Sequence, residues 1–193
     1  MKGSSVGSVV DKFFLNRNDA VLAVIDVQDR LCRAMDQTIL ERLTGNIAIL
    51  LEAARELGLP VLATKQYVKG LGETLPVLKE KLMEPAIEKM TFSSCGEAPF
   101  PERLKALGRK QVIVTGMETH VCVLQTVIEL IDAGYHVHVV RDAVMSRRKE
   151  NWKVGIEAAT AAGAVPTSTE TALFQLLRTA GSDEFRKLAK LVR

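Results

Sequence analysis

The chain has 193 residues, of which 47% are hydrophobic and 25% are charged, and its formal net charge is +3. This length favours one domain with a real core, and the composition is typical of a soluble globular protein. Aromatic residues make up 5%, which argues against a nucleic-acid surface built on stacked bases.

The cysteines and the apolar segments indicate the compartment. Cys32, Cys95 and Cys122 form an odd, sparse set, which argues against a disulfide framework and favours a reducing environment. No apolar segment approaches the ~20 residues that span a bilayer, and residues 1–12 lack the apolar region of a signal peptide. We therefore expect a cytosolic protein without a membrane partner.

In chain order, the first elements alternate between strand and helix. The apolar run 20–26 predicts a buried parallel strand that ends in Asp26. Helical spacing follows over 36–57, with Gly58 as its C-terminal stop. A second strand over 60–64, a loop over 65–75, a short helix over 74–83 and an extended piece over 85–88 come next.

The alternation continues in the second half of the chain. The pattern predicts helices and strands at these positions: helix 101–107, strand 112–115, helix 119–133, strand 135–140, helix 151–162, strand 164–167 and helix 170–178. Ser168 or Thr169 is expected to cap the last of these helices, and the final residues resemble an amphipathic helix.

This order of elements predicts an α/β fold, a Rossmann-like three-layer α/β/α sandwich with a central, mostly parallel sheet. We expect a single domain over 1–193, with a core at about 18–178 and a helical tail at 181–193. Ligands of such sheets bind outside the carboxyl ends of the strands. Three polar signals lie at predicted strand ends: Asp26, the 115–122 turn and Asp142.

Cys122 follows the strand 112–115 through a tight Thr-Gly turn, in the first turn of a predicted helix. The unpaired N–H groups and the positive dipole end of a helix start favour a thiolate. The alternative is a buried, unreactive cysteine, a common residue at core positions, and from this position alone the two interpretations are about level.

Two further residues complete a chemical set with Cys122. A carboxylate such as Asp26, placed directly after a buried apolar run, costs folding free energy unless it has a partner or a function. The alternative is that Asp26 simply caps a turn. Lys89 would by default be a surface lysine. Together they form a coherent acyl-transfer site: Asp26 as the base, Lys89 as the cation that keeps Asp26 ionised and lowers the cysteine pKa, and Cys122 as the nucleophile.

At this point the sequence resembles the isochorismatase-like cysteine hydrolases, a family that includes nicotinamidases and carbamoylsarcosine amidases. The resemblance runs from about residue 18 to residue 178 and lies in five segments in order: Val-Ile-Asp-Val-Gln-Asp at 24–29, Glu-Lys-Met-Thr-Phe-Ser at 88–93, Val-Thr-Gly-Met-Glu-Thr-His-Val-Cys-Val at 114–123, and the stretches 134–144 and 168–174. Each segment alone is weak, but their joint occurrence is specific.

The resemblance implies that Asp26, Lys89 and Cys122 form the catalytic triad. It also implies a cis peptide between Met117 and Glu118, which would direct the Glu118 and Cys122 amides at an oxyanion.

We expect Gln28, Tyr67, Leu71, Phe92 and His120 to contribute to the substrate pocket, with Met117 as a further wall. Gln28 could also orient Asp26. Core packing is the alternative for Phe92 and Tyr67, and packing or capping is the alternative for His120.

Nicotinamidases usually carry an Asp/His metal site near residues 52–70, and this chain has no histidine there. We therefore expect no metal and no cofactor. His136 and His138 share one strand face but lack a third ligand.

The sequence therefore predicts a hydrolase that cleaves a C–N bond of a small molecule through a cysteine thioester. A non-catalytic binding protein on the same scaffold is one alternative. Another is a vinyl ether hydrolase, although such family members generally lack the cysteine. A nucleotide-binding domain fits poorly because residues 27–30 contain no glycine. Family members commonly assemble, so we expect a homo-oligomer.

Overall fold

Six parallel strands form one sheet in the order β3-β2-β1-β4-β5-β6 in a computed structural model that describes residues 8–192. Residues 1–7 and Arg193 lie outside the described part, so the expected absence of a signal peptide falls largely outside it. The strands are β1 (Ala20–Ile25), β2 (Val61–Gln66), β3 (Ile87–Lys89), β4 (Gln111–Met117), β5 (His136–Met145) and β6 (Val165–Thr167).

The helices fill the connections between these strands. They are α1 (Val9–Phe13), α2 (Asp29–Arg33), α3 (Gln37–Leu57), α4 (Val68–Leu71), α5 (Pro76–Lys79), α6 (Pro99–Ala106), α7 (Leu124–Asp132), α8 (Lys149–Ala161), α9 (Thr169–Leu177) and α10 (Asp183–Leu188). Two 3-10 turns occupy Ser94–Gly96 and Ala189–Val192, and a π-helical turn occupies Thr119–Val123.

The helices cover the sheet on both faces, which explains why β1 and β4 consist of buried residues throughout. Helices α3, α9 and α10 pack on one face, and α6, α7 and α8 pack on the other. The predicted α/β/α sandwich is confirmed, and its sheet is parallel throughout the described residues. That residues 1–193 form a single domain stays a prediction.

Helix α3 shows how closely local signals set the boundaries. The Asp36 side chain accepts a hydrogen bond from the Ile39 N–H at 3.0 Å and caps the first turn. Gly58 ends the helix in the left-handed region at φ +69°, where a residue without Cβ has no steric penalty. At α9 the cap is Ser168, whose Oγ accepts from the Thr171 N–H at 3.2 Å.

Strand β5 differs from its prediction, because it continues past Arg141-Asp142 to Met145. Arg141 and Asp142 are exposed within the strand. Because they are two charged residues directly after an apolar run, the sequence predicted a strand end there. Asp142 Oδ1 accepts from the N–H and the hydroxyl of Thr169 at 2.8 and 3.0 Å. Asp142 therefore holds the start of α9 and does not contribute to the site.

The segment after β4 also differs, since it opens with the π-helical turn instead of an ordinary helix start. The Glu118 carbonyl accepts from the N–H groups of both Val121 and Val123, at 3.0 and 3.3 Å. Turns of this kind insert an extra residue and are frequent at functional sites.

The predicted loop at 65–75 contains the end of β2 and the short helix α4, and helices α1 and α2 were not predicted. The predicted tail helix is α10 followed by a 3-10 turn; Leu188 is buried against the body, and the final Arg193 lies outside the described part. Among residues 8–192, every helix is too short or too polar to span a bilayer.

Candidate active site

Asp26 follows the central strand β1 and is completely buried. Its φ of +51° lies in the left-handed region, an uncommon conformation for a residue with a side chain and one that often occurs at functional sites. The Thr64 hydroxyl donates to Asp26 Oδ1 at 2.8 Å. The Lys89 ammonium lies 2.7 Å from Oδ2.

Lys89 ends strand β3 and is also buried, at 1% exposure. Its Nζ donates three hydrogen bonds: to Gln66 Oε1 at 3.3 Å, to the Thr91 carbonyl at 3.0 Å and to the Phe92 carbonyl at 2.8 Å. The contact with Asp26 Oδ2 is shorter than these three and joins opposite charges, so it is an ion pair.

The ion pair counters a large desolvation effect. Burial raises the pKa of Asp26, and the Lys89 charge, the Thr64 hydroxyl and the Cys122 thiol oppose that rise. A buried carboxylate needs such a partner to stay ionised. Asp26 is therefore more basic than an ordinary aspartate, and Lys89 opposes its protonation.

Cys122 is buried in the π-helical turn, at 6% exposure. Its Sγ donates to Gln66 Oε1 at 3.0 Å. Burial, followed by the Asp26 charge, raises the pKa of the Cys122 thiol to about 12, although Lys89 acts in the opposite direction. The expected depressed pKa is therefore wrong for this state, because desolvation outweighs the Lys89 cation; the resting group is a thiol.

Gln66 is the residue of the site that the sequence reasoning missed. A lysine ammonium is a pure donor, so the oxygen of the Gln66 amide must face it. The same oxygen accepts the thiol proton of Cys122, so one amide links two of the three predicted catalytic groups. Its position at the carboxyl end of β2, beside that of β1, was the available signal.

The turn between β4 and Cys122 is held from the loop after β5. The Met117–Glu118 peptide bond is cis. The Glu118 carboxylate is nearly buried, and it accepts from the Arg147 N–H at 2.9 Å and from Arg147 Nε at 3.1 Å. His120 Nδ1 lies 2.9 Å from the Ser146 hydroxyl. Two neighbouring loop residues therefore fix the turn from outside.

Two of the expected pocket residues lie elsewhere. Gln28 is completely buried; its Nε2 donates to the carbonyls of Gln66 and Gly72 at 2.9 and 2.6 Å, and its Oε1 accepts from the Gln66 N–H at 2.7 Å. With its amide used on the main chain, Gln28 supports Gln66 from behind. Met117 packs in the core beside α3, with its sulfur 3.9 Å from Cys32 Sγ.

The other expected pocket residues lie nearer the surface. Tyr67, at 46% exposure, follows Gln66 with φ +40°, and its ring lies so close to Gly70 that a Cβ there would be 2.2 Å from it. Phe92 is 53% exposed, and Leu71 and His120 are partly buried. Tyr67 follows Gln66, whose side chain accepts from both Lys89 and Cys122. The Phe92 carbonyl accepts from Lys89. These positions suit an exposed rim around the thiol.

Residues 8–192 contain further histidines, cysteines and acidic residues. Within that part of the chain, no three His, Cys, Asp or Glu side chains are arranged to hold a metal ion. The three cysteines are free. His138 is completely buried on β5, and burial lowers its pKa to about 4.

The fold and the order of the site segments define an isochorismatase-like α/β protein, and comparison with known proteins agrees. The isochorismatase domain family model matches residues 20–171. A secreted isochorismatase effector, Isc1 of Phytophthora sojae, is 38% identical over 91% of this chain and 85% of its own length. The chain therefore belongs to the isochorismatase family of hydrolases.

Solved structures show the same architecture. The MAR1 ribonuclease of Caenorhabditis elegans is 35% identical, with a TM-score of 0.86 over 93% of this chain and 92% of its own. YcaC of Pseudomonas aeruginosa, solved with hexane-2,5-diol and covalent acrylamide, is 26% identical, with a TM-score of 0.84 over 93% and 95%. YcaC of Escherichia coli, an octameric hydrolase of unknown specificity, is 26% identical, with a TM-score of 0.85 over 92% and 88%.

Proposed function

We propose that this isochorismatase-family hydrolase cleaves a C–N bond of a small amide through a thioester on Cys122. The observation that carries the proposal is the convergence of Asp26, Lys89 and Cys122, which come from three distant parts of the chain and are all buried together. Such a set lies at the carboxyl edge of the sheet, where ligands of parallel α/β folds bind.

The raised thiol pKa decides how the reaction begins. A group with a pKa of about 12 is protonated at neutral pH, so the proton must leave as the sulfur attacks. Asp26 is the base for that transfer, since its basicity is raised by burial and the Lys89 charge keeps it ionised. Gln66 holds the thiol in place until a substrate arrives.

The same groups carry out acylation of Cys122, release of the amine and hydrolysis of the thioester. The sulfur bonds to the substrate carbonyl carbon, and N–H groups of the Glu118–Cys122 turn stabilise the oxyanion. When the C–N bond breaks, the proton held by Asp26 goes to the leaving amine. Water then gives a proton to Asp26 as it attacks the thioester, and that proton returns to the sulfur as the acid leaves.

A screen of small amides, read by intact-protein mass spectrometry, tests the proposal. We expect an acyl adduct on Cys122 and complete loss of turnover in Cys122→Ala. Cys95→Ala is the matched control, because Cys95 is also a free thiol but is half-buried and its recorded hydrogen bond is a main-chain one to Ser93; it should retain activity. Full activity of Cys122→Ala would refute the nucleophile.

The same two variants separate the alternatives. A binding protein would bind small amides equally well with and without Cys122 and would turn none of them over. A vinyl ether hydrolase would cleave isochorismate independently of Cys122. An RNA oligonucleotide belongs in the screen because one structural relative is named a ribonuclease; cleavage of RNA, without any amide product, would contradict the amide assignment.

We also propose that the chain forms a homo-oligomer, which is supported by the octameric hydrolase from Escherichia coli among its structural relatives. Light scattering during size-exclusion chromatography tests this, and a mass of one chain would contradict it. A cytosolic location stays a prediction that rests on three free cysteines, and the Phytophthora relative is a secreted effector.

A further inference from the structure

The Thr126 hydroxyl connects the segment that carries the Lys89 contacts to the turn that carries Cys122. Thr126 is completely buried on α7, four residues after Cys122. Its Oγ1 donates to the Cys122 carbonyl at 2.7 Å and accepts from the Ser94 N–H at 2.9 Å. The Ser94 hydroxyl lies 3.3 Å away and can donate the third hydrogen bond, since Thr126 has already used its single proton.

The Ser94 end of this connection leads directly to Lys89. The ammonium donates to the carbonyls of Thr91 and Phe92, which lie three and two residues before Ser94. A second contact fixes the same segment to α7, because the Ser93 hydroxyl donates to Glu129 Oε2 at 2.7 Å. The carbonyls that orient the ammonium therefore belong to a segment anchored on the helix that follows the thiol.

We propose that Thr126 is a positioning residue that sets the distance between the Lys89 ammonium and the Cys122 sulfur. The proposal rests on the nucleophile assignment made above. Bonds from a threonine hydroxyl to the carbonyl four residues earlier are common within helices, but here the same oxygen also receives an N–H from a separate segment. That additional bond gives Thr126 a role beyond helix packing.

The experiment measures alkylation of Cys122 by acrylamide across pH 6–10, with the modified peptide quantified by mass spectrometry so that Cys32 and Cys95 do not interfere. In Thr126→Val the volume is retained and the hydroxyl is lost. The thiol pKa of about 12 lies above this range, so the rate follows the small thiolate fraction at every pH. We expect alkylation to be about tenfold slower throughout, which displaces the profile to higher pH, because the cation that favours the thiolate is no longer held near the sulfur.

Two further variants make the result specific. Thr126→Ser keeps the hydroxyl and should restore the rate to within about twofold. Thr160→Val removes the same type of bond, from Thr160 Oγ1 to the Ile156 carbonyl at 2.8 Å on α8, and should leave the rate and the profile unchanged. A merely structural role for Thr126 would lower the unfolding temperature without displacing the pH profile.

A folded Thr126→Val protein with an unaltered rate and pH profile would overturn the proposal. If that variant does not fold, Ser93→Ala decides, since it removes the second anchor; an unaltered profile there overturns it equally. A wrong nucleophile assignment would give a different result: Cys122→Ala would still hydrolyse amides, regardless of the alkylation results for the Thr126 variants.

Discussion

Replacing Lys89 with Met tests whether the buried ion pair holds the site together. The substitution removes the ammonium and leaves Asp26 buried beside an apolar side chain. At the observed 2.7 Å and an effective dielectric of about 20, Coulomb's law gives about 6 kcal/mol of attraction. Because Asp26 can take up a proton in response, we expect a net loss of about 3–5 kcal/mol in the free energy of unfolding.

The loss should depend on pH. Burial already raises the pKa of Asp26 in the folded protein, and without Lys89 it rises further. A carboxyl whose folded pKa exceeds its unfolded value binds more protons in the folded state, so stability falls as pH rises between about 4 and the new folded pKa. The deficit of Lys89→Met should therefore be larger at pH 8 than at pH 5.

Urea unfolding at both pH values measures this deficit, with two comparisons. Lys65→Met removes the 2.9 Å ion pair with the exposed Glu73 and should cost less than about 1 kcal/mol. The double variant Asp26→Asn, Lys89→Met removes both charges and should cost less than the two single changes added together. A cost for Lys89→Met below about 1 kcal/mol, equal at pH 5 and pH 8, would refute the reasoning.

Two further predictions concern stability away from the ion pair. In Gly155→Ala the new Cβ would lie 2.8 Å from the Thr119 carbonyl carbon, so we expect a loss of about 1–3 kcal/mol. In Gly45→Ala nothing lies within 4 Å, and helix propensity predicts a gain of up to about 1 kcal/mol; equal effects in urea unfolding would contradict the close approach. Burial lowers the pKa of His138 from its ordinary 6.5 to about 4 in the folded protein, so the unfolded state binds more protons between these values. Stability is fully present above pH 6.5 and is lost as pH falls towards 4, by about 2 kcal/mol at pH 5; if His138→Leu retains the full pH dependence, another group is responsible.

The arrangement of the sheet and three residues of the site could be read from the sequence. Apolar runs such as 20–26 predict strands covered on both faces, and the alternation with helices then brings their carboxyl ends to one edge. Asp26 follows such a run directly and Cys122 follows another through a short turn, so both are expected at that edge. The assignment of Lys89 to the site depended on the joint occurrence of the family-like segments, because its neighbouring residues alone predicted a surface lysine.

Other features depend on side-chain directions that periodicity does not contain. Gln28 and Gln66 look alike as polar residues near strand ends, but one binds main-chain groups and the other faces the thiol. The direction of the Cys122 pKa depended on whether burial or the cation was larger, which the sequence could not decide. Asp142 looked like a strand end because two exposed residues interrupt an otherwise buried strand.

The three hydrogen bonds of Lys89 limit what the site can recognise. The ammonium donates its three protons to Gln66, Thr91 and Phe92. Its positive charge is balanced by the neighbouring Asp26 carboxylate. An incoming carboxylate or phosphate would thus find no proton to bind on this cation. Under the proposed function, discrimination between substrates would then fall to the exposed Tyr67 and Phe92 at the rim, where substitutions should alter substrate preference without changing the catalytic groups.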